Sequence, residues 1–152
     1  MEQRVLLLAL RGRDAQIIAS LLADGGHESV VCSSADHLAQ CLAEGAGTAI
    51  ITEESLTGVD RTALEAWLAA QEPWSDFPFI LLATKRAGSR PRDAVRTLEQ
   101  LANVVVLERP IHRETLASAV ASALRGRRRQ YEARERLGAL RSVEERLTQL
   151  NA

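Results

Sequence analysis

The join between a buried strand and a very long helix constrains this chain more than any other feature. Residues 104–111 read VVVLERPI, an apolar run followed by Glu108, an Arg-Pro pair and Ile111, and the chain then continues without another proline to its end. At 1.5 Å per residue, an unbroken helix over this stretch would reach about 58 Å, roughly twice the width of a small domain. We therefore expect a compact body whose last helix projects beyond it.

Length and composition fit one domain with an appendage. The chain has 152 residues, and 46% of them are hydrophobic, which is enough for a real core. Its longest apolar run is about seven residues, whereas a membrane-spanning helix needs roughly 18 or more. Because the N-terminus also lacks the pattern of a signal peptide, we expect a cytoplasmic protein that does not contact a membrane.

The net charge of -1 hides a difference between the two parts of the chain. Residues 1–110 carry 10 basic and 15 acidic side chains, whereas residues 111–152 carry 9 basic and 5 acidic ones. A basic tail can bind nucleic acid, but here the arginines are mixed with glutamates at helical spacing, which is typical of a solvated helix face. The charge pattern therefore disfavours a nucleic-acid partner.

Apolar runs and helical patterns alternate five times along the chain. Each run is short and almost continuously apolar, as in a strand that is buried on both faces. The predicted strands are residues 4–10, 28–34, 48–52, 77–84 and 104–111; the third helix is predicted at 60–71, and the fourth opens near Ser89 and Pro91. Five such units predict an α/β fold, a doubly wound five-stranded parallel sheet of order 2-1-3-4-5.

Residues at the carboxyl ends of the strands decide what such a fold can do, because ligands gather at that edge. Five strand–helix units with a basic-Pro pair after the fifth strand resemble the receiver domain of two-component signalling, over about residues 4–125. The resemblance implies an acidic pair after the first strand, a phosphoacceptor aspartate after the third, Thr or Ser after the fourth, and Lys-Pro after the fifth. In that set the acids hold Mg²⁺, the aspartate attacks phosphorus, and the lysine pairs with the phosphoryl oxygens.

The chain departs from that pattern at each of these positions. The equivalent residues are Ala9 and Leu10 for the acidic pair, Glu53 or, one register away, Glu54 for the phosphoacceptor, Ala83 and Thr84 for the hydroxyl, and Arg109 and Pro110 for Lys-Pro. The resemblance, with these replacements, implies a pseudo-receiver, a receiver-like domain whose phosphorylation site has been converted.

A site built from these residues should bind no metal and accept no phosphoryl group. Ala9 and Leu10 offer no oxygen ligands for Mg²⁺, and the extra methylene of Glu53 moves its carboxylate outward by about 1.5 Å. We interpret Asp14 as the N-cap of the first helix rather than as a substitute metal ligand. The prediction is therefore a domain with no cofactor and no catalytic residue.

Two interpretations of Glu53 remain open. Either Glu53 points a fixed negative charge at Arg109 and holds the domain in one conformation, or it is an ordinary loop carboxylate. An exposed ion pair contributes only about 0 to 1 kcal/mol, so the first interpretation requires partial burial. The resemblance also implies a cis peptide bond between Arg109 and Pro110.

Packing is the simplest explanation for the tryptophans and cysteines. We expect Trp67 and Trp74 to be buried or half-buried, although either could instead anchor a partner. Cys32 and Cys41 match neither a metal-ligand nor a CxxC spacing, so we expect buried thiols rather than a disulfide.

The first part of the last helix is expected to pack on the sheet through Leu116, Val120 and Leu124. The next segment, residues 125–136, is polar almost all round and is predicted to lie outside the core. We therefore divide the chain into a pseudo-receiver domain of residues 1–125 and a projecting helix of residues 126–152.

The end of that helix carries the pattern of a coiled coil. Its apolar residues recur at steps of three and four, which predicts the seam of a parallel dimer. They are Leu140, Val143, Leu147 and Leu150. Gly126 and Gly138 each cost about 1 kcal/mol within a helix, so self-association through this seam alone should be weak.

Three segments, TEESL at 52–56, PWSDFP at 73–78 and ALRGRRRQYEARERL at 123–137, are similar to the N-terminal pseudo-receiver of certain bacterial sensor histidine kinases. The resemblance implies a non-enzymatic module that regulates a kinase or PAS domain, in the same chain or in another, through protein contacts and a dimeric helix. Two alternatives remain open. One is a nucleic-acid-linked regulator of the antiterminator type, and the other is a genuine receiver that accepts a phosphoryl group on Glu53.

Overall fold

A computed structural model describes residues 1–84 and 92–151 and has the predicted doubly wound architecture. Its strands are β1 Val5–Leu8, β2 Ser29–Val31, β3 Thr48–Thr52, β4 Phe79–Ala83 and β5 Val104–Glu108. Its helices are α1 Asp14–Asp24, α2 Ala35–Glu44, α3 Thr62–Ala69, α4 Arg92–Leu101 and α5 Arg113–Leu150, with a 3-10 helix at Glu53–Leu56. All strand pairs are parallel, and the sheet order is β2-β1-β3-β4-β5, as predicted.

Two apolar clusters cover the two faces of this sheet, because successive side chains of a strand point to opposite faces. In β1, Leu6 and Leu8 belong to the cluster that also contains residues of α2, α3 and α4. Val5 and Leu7 belong to the other cluster, which contains residues of α1 and α5. Both faces are therefore buried, which explains why the central strands are apolar without alternation.

One element boundary differs from the sequence prediction at a position that matters for the site. Asp14 is the first residue of α1 and Arg13 precedes it as the cap, without a side-chain capping bond, so the prediction of Asp14 as N-cap is wrong. The predicted opening of the fourth helix near Ser89 and Pro91 lies outside the described residues. The peptide bond between Arg109 and Pro110 is cis, as expected.

The long helix α5 packs on the body further than its sequence suggested. Leu116, Val120 and Leu124 cover the sheet as predicted, but Arg127 and Tyr131 are also buried, with only 3% and 7% of their surface exposed. The prediction that residues 125–136 contribute nothing to the core is therefore wrong for two of them. The division at residue 125 remains a prediction.

A glycine makes room for this docking. A Cβ atom built on Gly47 would overlap the side chain of Leu124 and lie 3.2 Å from the carbonyl oxygen of Glu2. The segment before β3 therefore lies so close to α5 that a larger residue at position 47 would displace the side chain of Leu124. No helix within the described residues is long and apolar enough to span a membrane.

Candidate functional site

The residues predicted to form a site meet at one edge of the sheet. Ala9 directly follows β1, Glu53 follows β3, Thr84 follows β4 and Arg109 follows β5. Because all five strands run in the same direction, their carboxyl ends share this edge. The structure therefore brings together the positions that the sequence singled out.

The position of the acidic pair is apolar. Ala9 is buried, with 8% of its surface exposed, whereas Leu10 is 44% exposed and carries no side-chain oxygen. The Leu10 amide donates a hydrogen bond to Ser55 Oγ over 3.0 Å, and Ser55 Oγ is also hydrogen-bonded to Thr52 Oγ1. This corner is thus held together by neutral hydroxyl and backbone groups.

Arg109 is the charged centre of the site. Its Nη2 donates to Glu54 Oε1 over 2.9 Å and to Asp14 Oδ2 over 3.1 Å, so one guanidinium joins the start of α1 to the turn after β3. The pairs are partly exposed, with 34% of the Arg109 side chain, 39% of Asp14 and 19% of Glu54 accessible to solvent. Each is therefore expected to stabilise the fold by only about 0 to 1 kcal/mol.

The carboxylates that pair with Arg109 differ from the one that the sequence suggested. The sequence suggested a pair between Glu53 and Arg109, whereas the ion pairs in the described part of the chain put Glu54, the register alternative, and Asp14 against the guanidinium. Glu53 is the first residue of the 3-10 helix and is buried, and its carbonyl oxygen accepts a hydrogen bond from Thr57 Oγ1 over 3.3 Å.

The hydroxyl position is equally changed. Ala83 is the last residue of β4 and is fully buried, and its carbonyl oxygen accepts a hydrogen bond from the Arg109 amide over 3.0 Å. Thr84, the neighbouring residue, is exposed. Of the two residues predicted at the hydroxyl position, the buried one therefore carries only a methyl group.

These residues do not fit a divalent cation. Mg²⁺ prefers several oxygen ligands in octahedral geometry, but Ala9 and Leu10 supply none. The nearby carboxylates of Asp14 and Glu54 already bind a guanidinium. Within residues 1–84 and 92–151, no group of three or more His, Cys, Asp or Glu side chains is arranged to hold a metal.

A second cluster lies at the opposite edge of the sheet, and the sequence reasoning did not anticipate it. We name it the arginine–aromatic clamp, and it consists of Glu2, Trp74, Phe77, Arg127, Tyr131 and Arg134. The Arg127 guanidinium lies 5.2, 5.0 and 4.5 Å from the ring centres of Trp74, Phe77 and Tyr131. Arg134 lies 5.5 Å from the ring centre of Trp74 and 4.5 Å from that of Tyr131.

Hydrogen bonds complete the clamp. Arg127 Nη1 donates to Ser75 Oγ over 2.7 Å, and Tyr131 Oη donates to the carbonyl oxygen of Ala46 over 2.7 Å. Arg134 forms a two-pronged ion pair with Glu2, with donor–acceptor distances of 2.8 and 3.3 Å. The clamp therefore fastens α5 both to the N-terminus and to the segment that leads into β4.

The two arginines of the clamp have opposite electrostatic environments. Burial lowers the pKa of Arg127, because removal from water disfavours the charged form, although contact with Tyr131 opposes that effect. The hydrogen bond to Glu2 raises the pKa of Arg134 and lowers the pKa of Glu2. Arg127 is thus held mainly by aromatic rings and neutral acceptors, whereas Arg134 is held by a carboxylate.

The tryptophans and cysteines lie as predicted. Trp67 and Trp74 are both half-buried, and the Trp67 ring centre lies 5.6 Å from that of Phe77. Cys32 and Cys41 are buried free thiols, and burial raises the pKa of Cys32 to about 12.

Comparisons with known proteins support the receiver resemblance. No family model and no curated protein matches the chain. Among solved structures, the signal receiver domain of a signal transduction histidine kinase from Syntrophus aciditrophicus is 26% identical, with a TM-score of 0.64 over 82% of this chain and 91% of that one. The chain contains a receiver-like domain.

Two further structures resemble the receiver-like domain together with its long helix. A fusion that carries the trimeric coiled coil of yeast Spc42 matches 100% of this chain and 98% of that one, at 17% identity and a TM-score of 0.65. NtrX from Brucella abortus, in complex with ATP, matches 97% of this chain and 35% of its own, at 19% identity and a TM-score of 0.66. At these identities the likeness is one of fold alone.

Proposed function

We propose that the chain is a non-catalytic pseudo-receiver of a two-component system, which regulates an attached or separate histidine kinase through protein contacts and a dimeric helix. The observation that carries the proposal is Arg109, which is bound by the carboxylates of Asp14 and Glu54 beside a corner formed by Ala9 and Leu10. Arg109 is thus paired with carboxylates of its own domain, and no phosphoryl group is required to hold that arrangement.

The surface for output is proposed to comprise α4, β5 and α5. Val95 on α4 and Val105 on β5 are exposed apolar side chains. A groove of about 560 Å³ lies between β5 and α5 and is lined by Val105, Leu107, Thr115 and Ser118 among others. Exposed apolar side chains beside a groove are features of protein-binding surfaces.

The partner is proposed to be a histidine kinase or a PAS domain in the cytoplasm. The support is the similarity to a receiver domain that belongs to a signal transduction histidine kinase. The free end of α5 would join the module to that partner, since its last apolar side chains, from Leu140 to Leu150, are exposed and available for a second helix.

The test is phosphorylation by a small-molecule donor. We expect the chain to take no label from acetyl phosphate and Mg²⁺, because two of the three acids of a receiver site are replaced by Ala9 and Leu10. The matched variant Ala9→Asp/Leu10→Asp/Glu53→Asp restores all three acids and serves to report whether the fold can still accept a phosphoryl group.

Labelling of the unmodified chain at Glu53 or Glu54 would overturn the proposal in favour of a working receiver. Tight RNA binding through residues 125–129, with a steep dependence on salt, would overturn it in favour of a nucleic-acid-linked regulator. The burial of Arg127 disfavours the second outcome, because this side chain is not accessible to a phosphate backbone.

A further inference from the structure

The two apolar or buried faces of α5 point in nearly opposite directions. The side chains that face the body are Leu116, Val120, Leu124, Arg127, Tyr131 and the half-buried Arg134. The seam residues are Leu140, Val143, Leu147 and Leu150, and all four are exposed. At about 100° per residue, the centre of the seam lies about 165° around the helix from the centre of the body-facing side.

The clamp is what fixes this direction. Beyond Leu124, the body holds α5 through Arg127, Tyr131 and Arg134, and through Gln130, which donates from its side chain to the carbonyl oxygen of Asp76 over 2.8 Å. After Arg134 the helix is exposed up to its end. The clamp therefore determines which direction the seam faces relative to the body.

Two glycines mark the limits of the clamped segment. Gly126 immediately precedes Arg127, and Gly138 follows Arg134 by one turn, with open space around the position of a Cβ at both. Glycine weakens a helix and is a common place for a bend. Without the clamp, the helix would therefore be free to bend at Gly126 and to lose its setting relative to the body.

Resting on the proposed function, we infer that a second copy of this chain docks on the seam in parallel, with the two bodies on the outer sides of the helix pair. The seam repeats at positions a and d of a heptad, which makes it complementary to itself. Since the clamp turns the seam away from the body, two copies meet along α5 without contact between their bodies.

Charges beside the seam favour the parallel arrangement. In an antiparallel pair with the same apolar layers, Glu144 would face its own copy and Arg146 would face its own copy, which places like charges together. In the parallel pair, Glu144 faces Ala139 and Arg146 faces Asn151, so no like charges meet at these flanking positions. Arg136, one heptad before the second seam residue, would face its own copy, which confines the apolar contact to residues 140–150 and keeps the association weak. The occupant of the seam is thus a second copy in the same direction.

The experiment compares two neighbouring arginines of α5. Arg129 lies on the seam side and is exposed, whereas Arg128 donates to Gln3 of the body over 3.3 Å. Arg129→Cys and Arg128→Cys remove the same charge, and the buried Cys32 and Cys41 should not react with a short bismaleimide. We expect Arg129→Cys to form covalent dimers at least about tenfold faster than Arg128→Cys.

The role of the clamp is tested by the distance between the two bodies, measured by pulsed dipolar spectroscopy between spin labels on Gln40→Cys, an exposed position of α2. Trp74→Ala removes a ring that contacts Arg127 and Arg134, and it should broaden the distribution of that distance while Val143→Cys still cross-links. Trp67→Ala is the matched control, because Trp67 packs on Phe77 rather than on the clamp arginines. It should keep the narrow distribution of distances despite any general loss of stability.

The outcomes separate the inference from the proposed function. Equal or faster cross-linking at position 128, or an unchanged distribution of the distance between the bodies in Trp74→Ala, overturns the inference and leaves a dimeric helix in place. If sedimentation equilibrium finds only monomers and Val143→Cys does not cross-link, the dimeric helix of the proposed function fails and the inference fails with it.

Discussion

Replacement of Arg127 by alanine is the sharpest test of how α5 is held. The side chain is almost fully buried, lies over three aromatic rings and donates from Nη1 to Ser75 Oγ and Gln130 Oε1 over 2.7 and 2.6 Å. Arg127→Ala removes all of these contacts at once. The neighbouring exposed Arg128 offers a matched control in Arg128→Ala.

The expected loss in the free energy of unfolding follows from the contacts that Arg127 makes. Hydrogen bonds from a charged donor are each worth about 1.5 to 3 kcal/mol, and a cation over an aromatic ring adds about 0.5 to 1 kcal/mol per ring. The desolvation that lowers the pKa of Arg127 offsets several kcal/mol of that gain. We therefore expect Arg127→Ala to lower the free energy of unfolding by about 3 kcal/mol, which corresponds to about 6 to 12 °C in Tm for a chain of this length.

The assay is urea unfolding, followed by circular dichroism at 222 nm and by tryptophan fluorescence. Arg128→Ala should change the free energy of unfolding by less than about 0.5 kcal/mol, because surface substitutions have small effects. Arg127→Met keeps much of the apolar volume and should lie between the two. If Arg127→Ala unfolds like Arg128→Ala, the clamp does not stabilise the body and the reasoning is refuted.

Four further predictions concern other parts of the chain. Gly47→Ala should lower the free energy of unfolding by about 1 to 3 kcal/mol in urea, since the new methyl overlaps the side chain of Leu124; an unchanged midpoint would mean that α5 does not dock there. Because burial raises the pKa of Cys32 from 9.0 to about 12, its contribution to stability is present below pH 9 and is lost as the pH rises from there towards 12; Cys32→Ala should flatten that fall in urea unfolding. In a double-mutant cycle, Arg109→Ala with Glu54→Ala should give a coupling of about 0 to 1 kcal/mol, since the pair is partly exposed; a coupling above about 2 kcal/mol would contradict this estimate. Leu147→Lys should raise the dimer dissociation constant at least about tenfold in sedimentation equilibrium without altering the circular dichroism of the body; an unchanged constant would exclude the seam.

The fold was predictable because its signal is local. Strands such as 48–52 are apolar and short, helices such as α2 have a clear apolar face, and strand–helix alternation leaves few possible topologies. The docking of Leu116, Val120 and Leu124 was predictable for the same reason, because their spacing alone marks one helix face.

The clamp was not predictable by that route, because its members are far apart in the chain. Glu2, Trp74 and Tyr131 meet only when the fold is complete, and a buried arginine carries no apolar signal. One sequence signal existed: Arg127, Tyr131 and Arg134 recur at i, i+4 and i+7, the spacing of one helix face. The arginine-rich composition of the segment obscured it.

The charges of the site were only partly predictable. Strand-end positions correctly brought Arg109 near the turn after β3, but a single turn of 3-10 helix decides whether Glu53 or Glu54 faces the guanidinium. The sequence predicts Asp14 as a helix cap because Asp commonly occupies that position. Its ion pair with Arg109 joins residues that are far apart in sequence, so no local pattern could indicate it.

The position of the clamp limits how a signal can reach the free end of α5. Arg109 and the clamp lie at opposite edges of the sheet, and α5 is held along the body between them, so a change at Arg109 reaches the free helix only if the clamped segment moves. If the clamp contributes about 3 kcal/mol, fewer than about one molecule in a hundred has an open clamp in the absence of a partner. A partner that acts by freeing the helix must then bind the released state about a hundredfold more tightly than the clamped state to populate the two equally. Contacts with the segment around Trp74, which is half-buried and directly touches both clamp arginines, are the shortest route to such a difference in affinity.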